Sequence, residues 1–212
     1  MIISYHGKQF IKLQQGDFTL AYNPISKESK LGTKATRFGS NITLISVRHP
    51  DFNGIENTQY GDAQPLLVQG PGSYEQAGVT INGFETKTFV KGEEYINTIY
   101  FVAHEGVRYG FLGSLSDSSL DQAIRDFNED VDILFVPIGG GDILNPNQAA
   151  KVIKSFSPKV IIPFDYGADR DADSLTQFMK EIGAHTEGID KYVFKSSELD
   201  KLTGHLVILN EQ

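Results

Sequence analysis

His49 and Asp51 stand two residues apart in the run Ser46-Val47-Arg48-His49-Pro50-Asp51-Phe52. An imidazole and a carboxylate this close are residue types that hold a metal ion or move a proton. The run follows Ile42-Thr43-Leu44-Ile45, whose apolar, β-branched content predicts a buried strand. It leaves through Pro50, Asn53 and Gly54, which predict a loop. Loops at strand ends are where binding and catalytic groups collect on a rigid scaffold. A plainer role is also open: Asp51 accepts backbone N–H bonds ahead of Gly54 and caps the loop.

Other residues with useful chemistry are scattered. Asp165 follows the apolar run Val160-Ile161-Ile162-Pro163-Phe164, and Tyr166 beside it is expected to line or fill a pocket. Gly139-Gly140-Gly141 leads into no helix carrying Lys and Ser/Thr, which excludes a phosphate cradle. Those glycines are expected to let backbone pass close to a pocket floor, with Asp142 as a candidate pocket carboxylate. Ser46, Ser73 and Ser114 sit in no Gly-x-Ser-x-Gly elbow, so that class of serine nucleophile is excluded. His104 is expected at a hairpin tip, roughly 20 Å of strand away from Ser114, and His185 and His205 at the surface.

Composition narrows the field. The chain has 212 residues and a formal net charge of −8, from 19 Lys and Arg against 27 Asp and Glu. That balance repels phosphate backbones, and the segment from Lys27 to Arg37 is too diluted by Gly, Ser and Thr to form a basic patch. Nucleic acid is not an expected partner. Cysteine is absent, which excludes disulfides, thiolate metal sites and thiol nucleophiles together. No stretch approaches the roughly 20 apolar residues of a membrane helix, and no leader pattern precedes the first strand. The expectation is a cytoplasmic protein with no membrane partner.

These residues need a sheet to position them. Strands are predicted at Ile2 to Tyr5, Gln9 to Leu13, Phe18 to Tyr22 and Ile42 to Val47, forming a meander. Val79 to Ile81 and Phe84 to Thr88 read as two further strands, and Asn97 to Ala103 with Val107 to Leu112 as a hairpin. Helical spacing appears at Ser119 to Asn128, behind Asp117 or Ser118 as cap, at Asn147 to Phe156 behind Asn145 and Pro146, and at Ser174 to Ile182 before Gly183. The unalternating runs Ile133 to Pro137 and Val160 to Pro163 predict parallel strands buried on both faces, with carboxyl ends opening toward a shared site.

Six segments, in order, resemble the metallo-β-lactamase superfamily, in the branch of small zinc-dependent proteins named metal-dependent hydrolases. Ser46, His49 and Asp51 fit its Thr/Ser-His-x-His-x-Asp-His motif, with Val47 and Phe52 where two histidines are expected. Gly70-Pro71-Gly72-Ser73-Tyr74-Glu75 is similar to its GPGEYE segment, and Asn97-Thr98-Ile99-Tyr100 to its usual strand opening. Leu112-Gly113-Ser114-Leu115 is similar to its Leu-Gly-Asp-Leu. Asp132 to Gly140 resembles its Asp-x-Leu-x-x-Pro-x-Gly-Gly, and Pro158 to Tyr166 its Pro-Lys-x-x-Ile-Pro-Met-His-Tyr.

The resemblance implies a four-layer αββα sandwich of α/β (α+β) class, expected as one domain over residues 1–212. It also implies a ligand set that this chain has mostly exchanged. Ser114 replaces the bridging aspartate and Asp165 the last histidine. No histidine stands near Thr88 and Phe89, and His6-Gly7 reverses the amino-terminal Gly-His pair. A dinuclear centre needs about six or seven protein ligands and a mononuclear catalytic zinc about three. Only His49, Asp51 and Asp165 remain as metal candidates, with Ser46, Val47, Phe52, Ser114, Gly140, Asp142 and Tyr166 around them as pocket. The expectation is a catalytically degenerate protein without a cofactor that binds a small ligand or a partner. The alternative is a hydrolase of a phosphoester, lactone or related ester that holds one Zn²⁺, Mn²⁺ or Mg²⁺ and uses Asp51 in catalysis. A homo-oligomeric platform is a third option.

Overall fold

The computed structural model describes residues 1–32, 36–62, 64–127, 131–167 and 170–212. Strands β1 (Ile2–Tyr5), β2 (Ile11–Gln15) and β3 (Phe18–Tyr22) form the antiparallel meander, with Ile3 opposite Leu13 and Leu13 opposite Leu20. Strands β4 (Ile42–Ile45) and β5 (Leu66–Gln69) continue that sheet in parallel. A second sheet begins with β6 (Gly72–Gln76), β7 (Val79–Val90), β8 (Glu93–His104) and β9 (Val107–Phe111), all antiparallel neighbours. The two strands expected between Val79 and Thr88 are therefore one. Gly83, which lies between the two expected segments, packs closely there: an added Cβ would crowd Thr98 and Tyr100 on the partner strand.

Helix α1 (Gln122–Phe127) starts later than its apolar spacing suggested, and Asn128 lies outside the described residues. Then β10 (Ile133–Pro137) crosses through α2 (Pro146–Phe156) to the parallel strand β11 (Val160–Phe164). Asn145 caps α2 as expected: its side chain accepts from Gln148 N while the Gln148 side chain accepts from Asn145 N. Helix α3 (Ser174–Ile182) ends on Gly183 in the left-handed region. The remaining chain supplies β12 (Gly188–Ile189), β13 (Tyr192–Val193), α4 (Ser196–Leu199), β14 (His205–Leu206) and β15 (Ile208–Leu209). The sheets run β13-β1-β2-β3-β4-β5 and β14-β11-β10-β9-β8-β7-β6, with β12 and β15 paired apart.

Period-two alternation explains the layering. Ile133 and Phe135 of β10 face the first sheet, within a core that also holds Leu13, Leu20, Tyr22 and Leu44. Their neighbours Leu134 and Val136 face the other way, onto Ala149, Val152 and Phe156 of α2 and Phe178 of α3. Both faces of the central strands are thus buried, which is why their sequence does not alternate. The outer face of the first sheet is covered differently, by a small cluster of Phe10, Ala21 and Ile25 with Leu31 and Phe38. Among the described residues that fourth layer is built from loop. No helix of the described residues is long and apolar enough to cross a membrane.

Candidate functional site

Strand ends deliver the site. Lys8 and Gln9 follow β1, Asn23 follows β3, Ser46 follows β4, Ser114 follows β9 and Asp165 follows β11. All six side chains are buried. Gln9 Nε2 donates to Asp165 Oδ2 at 2.6 Å and to Ser114 Oγ at 3.0 Å. Gln9 Oε1 accepts from Asn23 Nδ2 at 2.8 Å, and the same Nδ2 reaches Ser46 Oγ at 2.8 Å. Asn23 Oδ1 in turn accepts from Ser46 N at 2.8 Å. Ser114 is fixed from behind, its N–H donating to Asn97 Oδ1 at 2.8 Å.

Asp165 is the electrostatic centre. Its side chain is fully buried, with Lys8 Nζ 2.8 Å from Oδ1, and Arg170 reaches Oδ1 through Nε at 2.7 Å and Oδ2 through Nη2 at 3.2 Å. Burial alone pushes the carboxyl up. The charges of Lys8 and Arg170 and their hydrogen bonds outweigh it and hold Asp165 below its ordinary value. The backbone is bent to make this arrangement: Lys8, Asn23 and Asp165 all have positive φ, at 55°, 46° and 56°. Non-glycine residues rarely sit there, and such positions concentrate at functional sites. Asp165 N donates to Lys8 O at 2.7 Å, which locks two of the three together.

His49 and Asp51 are adjacent to each other but belong to a different microenvironment. His49 Nδ1 lies 3.6 Å from Asp51 Oδ2 and accepts from Asp51 N at 3.2 Å. Burial lowers the imidazole's affinity for a proton, Asp51 partly restores it and Lys91 lowers it again, for a net downward shift. Asp51 also accepts from Ser29 Oγ at 2.6 Å and from Lys91 Nζ at 3.4 Å. Lys91 is at the tip of the β7–β8 hairpin, and its backbone N–H donates to Asp142 at 3.2 Å. The hairpin therefore lies down on the two acidic residues of the site loops.

The other expected pocket residues separate in the same way. Ser46 and Ser114 join the hydrogen-bonded network. Val47 and Phe52 are fully buried core side chains. Gly140 sits with Asp142 in the loop after β10. The Tyr166 hydroxyl donates to Leu209 O at 3.0 Å, so Tyr166 packs toward the C-terminal strands. His104 stacks on Phe18 with ring centroids 4.2 Å apart, and His6 packs on Phe10 and Phe38. Sequence reasoning missed Lys8, Gln9, Asn23, Asn97 and Arg170. The available signal was Lys8-Gln9, two strongly polar residues directly before the buried Phe10.

Two clefts reach the site loops from either side of the hairpin. One, of about 280 Å³, is lined by His49, Asp51, Ser29, Lys91 and Glu93. The other, of about 350 Å³ and mostly apolar, is lined by Ile45, Ser46, Arg48, Tyr95, Ile96 and Thr98. Tyr95 meets His49 edge-on with centroids 5.7 Å apart and so stands between them.

The donor set does not fit the metal centre that the resemblance implies. Among the described residues no three His, Cys, Asp or Glu side chains come together in a metal-holding group, so His49, Asp51 and Asp165 do not assemble as one site. The carboxylate of Asp165 already carries two cations. Ser114 and Ser46 have their oxygens engaged by Gln9 and Asn23, and Val47 and Phe52 offer no donor atom.

The model of the beta-lactamase superfamily domain matches residues 2–165. Among curated proteins, a UPF0173 metal-dependent hydrolase from Lysinibacillus sphaericus is 23% identical over 88% of this chain and 94% of its own length. Another from Bacillus cytotoxicus is 25% identical over 78% of this chain and 86% of its own. Among solved structures, a Thermotoga maritima protein assigned as a zinc-dependent hydrolase of the metallo-β-lactamase superfamily superposes with a TM-score of 0.78 at 22% identity, covering 100% of this chain and 99% of that one. A Parabacteroides distasonis protein assigned as a metal-dependent hydrolase gives a TM-score of 0.68 at 16% identity, over 99% and 93%. At these identities the structural likeness establishes the fold. Relatives named for their metal dependence attach a metal to this group of proteins, and so correct the expectation that no cofactor belongs here. With more than half of its length matched by the family model, the chain belongs to the β-lactamase superfamily as a metallo-β-lactamase-fold, metal-dependent hydrolase-like protein.

Proposed function

We propose that the dinuclear hydrolytic centre of this fold has degenerated in this chain and that its site loops bind a small ligand. One observation carries the reading: Asp165, at the position of the family's last histidine, is fully buried between Lys8 and Arg170. A carboxylate between two cations cannot accept a third, divalent one at the same oxygens without expelling a paired side chain from the interior, which costs several kcal/mol. The network of Gln9, Asn23, Ser46 and Ser114 supports the same conclusion, because it satisfies internally the oxygens that face the centre. What stays open to solvent is the pair of clefts beside the hairpin.

The test is turnover by the purified full chain supplied with Zn²⁺, Mn²⁺ or Mg²⁺, across phosphodiesters, phosphomonoesters and lactones. The expected result is no hydrolysis above the metal-only background with any ion. Saturable, metal-dependent turnover that Asp51→Asn abolishes would overturn the proposal and establish the mononuclear hydrolase reading instead.

A further inference from the structure

The larger of the two clefts beside the site, of about 350 Å³, sets a guanidinium beside an apolar wall. Arg48 follows the buried Val47 in the motif loop and points to solvent at the cleft wall. Its Nη2 donates to Gln69 O, the last residue of β5, at 3.1 Å. That bond spends one of five guanidinium donors and holds the group in place. Among the described residues no carboxylate forms an ion pair with it, although the chain carries a net charge of −8. The carboxylates nearest in sequence along the hairpin are already committed. Glu94, which itself lines the cleft, has its charge met by Lys87 Nζ at 3.0 Å, and Glu93 accepts from the Tyr95 hydroxyl at 3.0 Å. Among the described residues an oriented guanidinium is thus left without a directly paired counter-ion beside an apolar wall.

That wall is built from Ile45, Tyr95 and Ile96. Ile96 is 53% exposed, among the most exposed large apolar side chains of the described residues, and Tyr95 is propped in place by His49. Ser46 and Thr98, both buried, form the floor. The volume of about 350 Å³ is at the small end of the range for small-molecule sites, about 300–1,000 Å³. An apolar enclosure with one convergent cation selects an amphipathic anion. Charge decides between head groups: Arg48 neutralises one negative charge, whereas a phosphate monoester would bring nearly two into a surface that is acidic overall.

We infer that this cleft binds a small monocarboxylate carried on a compact apolar body, with Arg48 as the carboxylate anchor and Ile96 and Tyr95 as the apolar wall. The inference rests on the ligand-binding reading of the site and names the ligand class. A guanidinium takes a carboxylate through two parallel N–H donors at fixed spacing, and Arg48 keeps donors beyond the one given to Gln69 O.

The experiment is a calorimetric or NMR titration of the full chain with phenylacetate, phenylacetamide and phenyl phosphate. It is run on the native protein, Arg48→Gln and Ile96→Ser. Both substitutions are at exposed positions, and melting temperatures check that each variant is folded. Phenylacetate is expected to bind saturably, and at least tenfold more tightly than the neutral amide. Arg48→Gln should remove that preference while leaving amide binding within a factor of two, and Ile96→Ser should weaken both ligands several-fold. Absence of saturable phenylacetate binding, or equal binding by Arg48→Gln, overturns the inference. Tighter binding of phenyl phosphate overturns the monocarboxylate assignment. The turnover assay separates the two levels: hydrolysis together with Arg48-dependent carboxylate binding defeats only the degenerate-site reading. No hydrolysis and no carboxylate binding defeats only the cleft.

Discussion

Lys8 Nζ lies 2.8 Å from Oδ1 of Asp165, with the two side chains 6% and 0% exposed. One residue comes from the loop after the first strand and the other from the loop after the eleventh, so their pairing ties the two sheets together at the site. Arg170 closes the carboxylate from its other side. Two cationic side chains of the chain itself therefore meet the one buried carboxylate at this corner of the fold.

Removing Lys8 should therefore cost more than removing a surface lysine. Lys8→Met keeps the length and apolar stem but leaves Asp165 with the Arg170 guanidinium and the neutral Gln9 amide. Breaking a buried pair typically costs about 3–5 kcal/mol, and the remaining partner places the expected loss near the low end, about 3 kcal/mol. Urea unfolding with the native m-value would measure it. A loss below about 1 kcal/mol would show that Lys8 contributes no more than an exposed pair.

The same centre sets an acid limit on stability. Asp165 is held below its ordinary value of 3.8, so the folded state favours the ionised form. Its contribution is fully present above that unfolded value and is lost as pH falls through the lower folded value. Asp165→Asn should be destabilised at neutral pH, because Lys8 and Arg170 keep their charges without the carboxylate. The gap between native and variant should narrow as pH drops below 3.8. A gap that stays constant between pH 6 and pH 3 would mean that another group sets the acid limit.

The fold was largely legible because its signals are repetitive. Ile133 to Pro137 and Val160 to Pro163 could only be strands buried on both faces, and Asn145 announced its helix through local hydrogen bonding. The candidate site was legible as a set of positions but not as an arrangement. His49 and Asp51 drew attention because they are metal-ligand types, and they do meet, yet Asp165 lies in a separate, cation-filled interior. Lys8, Gln9 and Asn23 were invisible to a search for ligands, since an amide or ammonium at a strand end reads as ordinary loop polarity. Their role depends on positive-φ turns that bring five strand ends together, and long-range closure of that kind leaves no local pattern.

Lys91 and Asp51 offer a contrast with Lys8 and Asp165. Their 3.4 Å contact joins a lysine that is 60% exposed to a carboxylate that is 4% exposed. Exposed ion pairs contribute about 0–1 kcal/mol, so Lys91→Ala should change unfolding stability by less than about 0.5 kcal/mol. Asp51→Ala should cost more, because it also strips the Ser29 hydroxyl of its acceptor at 2.6 Å, leaving a part-buried donor unmet at about 1–3 kcal/mol. Equal effects of the two substitutions would place the stabilisation in the hairpin latch and not in the loop.

His6 gives a second pH dependence of independent origin. Burial, reinforced by Lys12 and Lys191, pushes its pKa down from 6.5 to about 4. A histidine kept neutral in the folded state contributes stability above its unfolded value, and this is lost as pH falls from 6.5 toward 4. The ring already packs between Phe10 and Phe38, with centroids 5.2 and 6.0 Å away. His6→Phe should therefore keep the packing and flatten the stability profile over that window, its advantage over the native chain growing as the solution is acidified. A profile unchanged in slope would remove His6 as its source.

Gly139 and Gly140 separate two reasons for needing glycine in neighbouring residues of one loop. At Gly139 the backbone is not left-handed, but a Cβ would collide with the carbonyl oxygen of Asp165 and with the Arg170 side chain. At Gly140 there is room, the nearest atom being Asn145 Cβ at 3.9 Å, while φ is +71°. Gly140→Ala should thus cost about 1 kcal/mol, the usual penalty for a left-handed alanine. Gly139→Ala must displace the backbone of Asp165 and the Arg170 side chain, which adds a share of the buried ion-pair energy to the steric cost, about 3 kcal/mol or more in all. The two unfolding curves rank the contributions: the larger loss at Gly139 is expected, and the reverse order would mean that the approach of this loop to Asp165 is not what fixes the site.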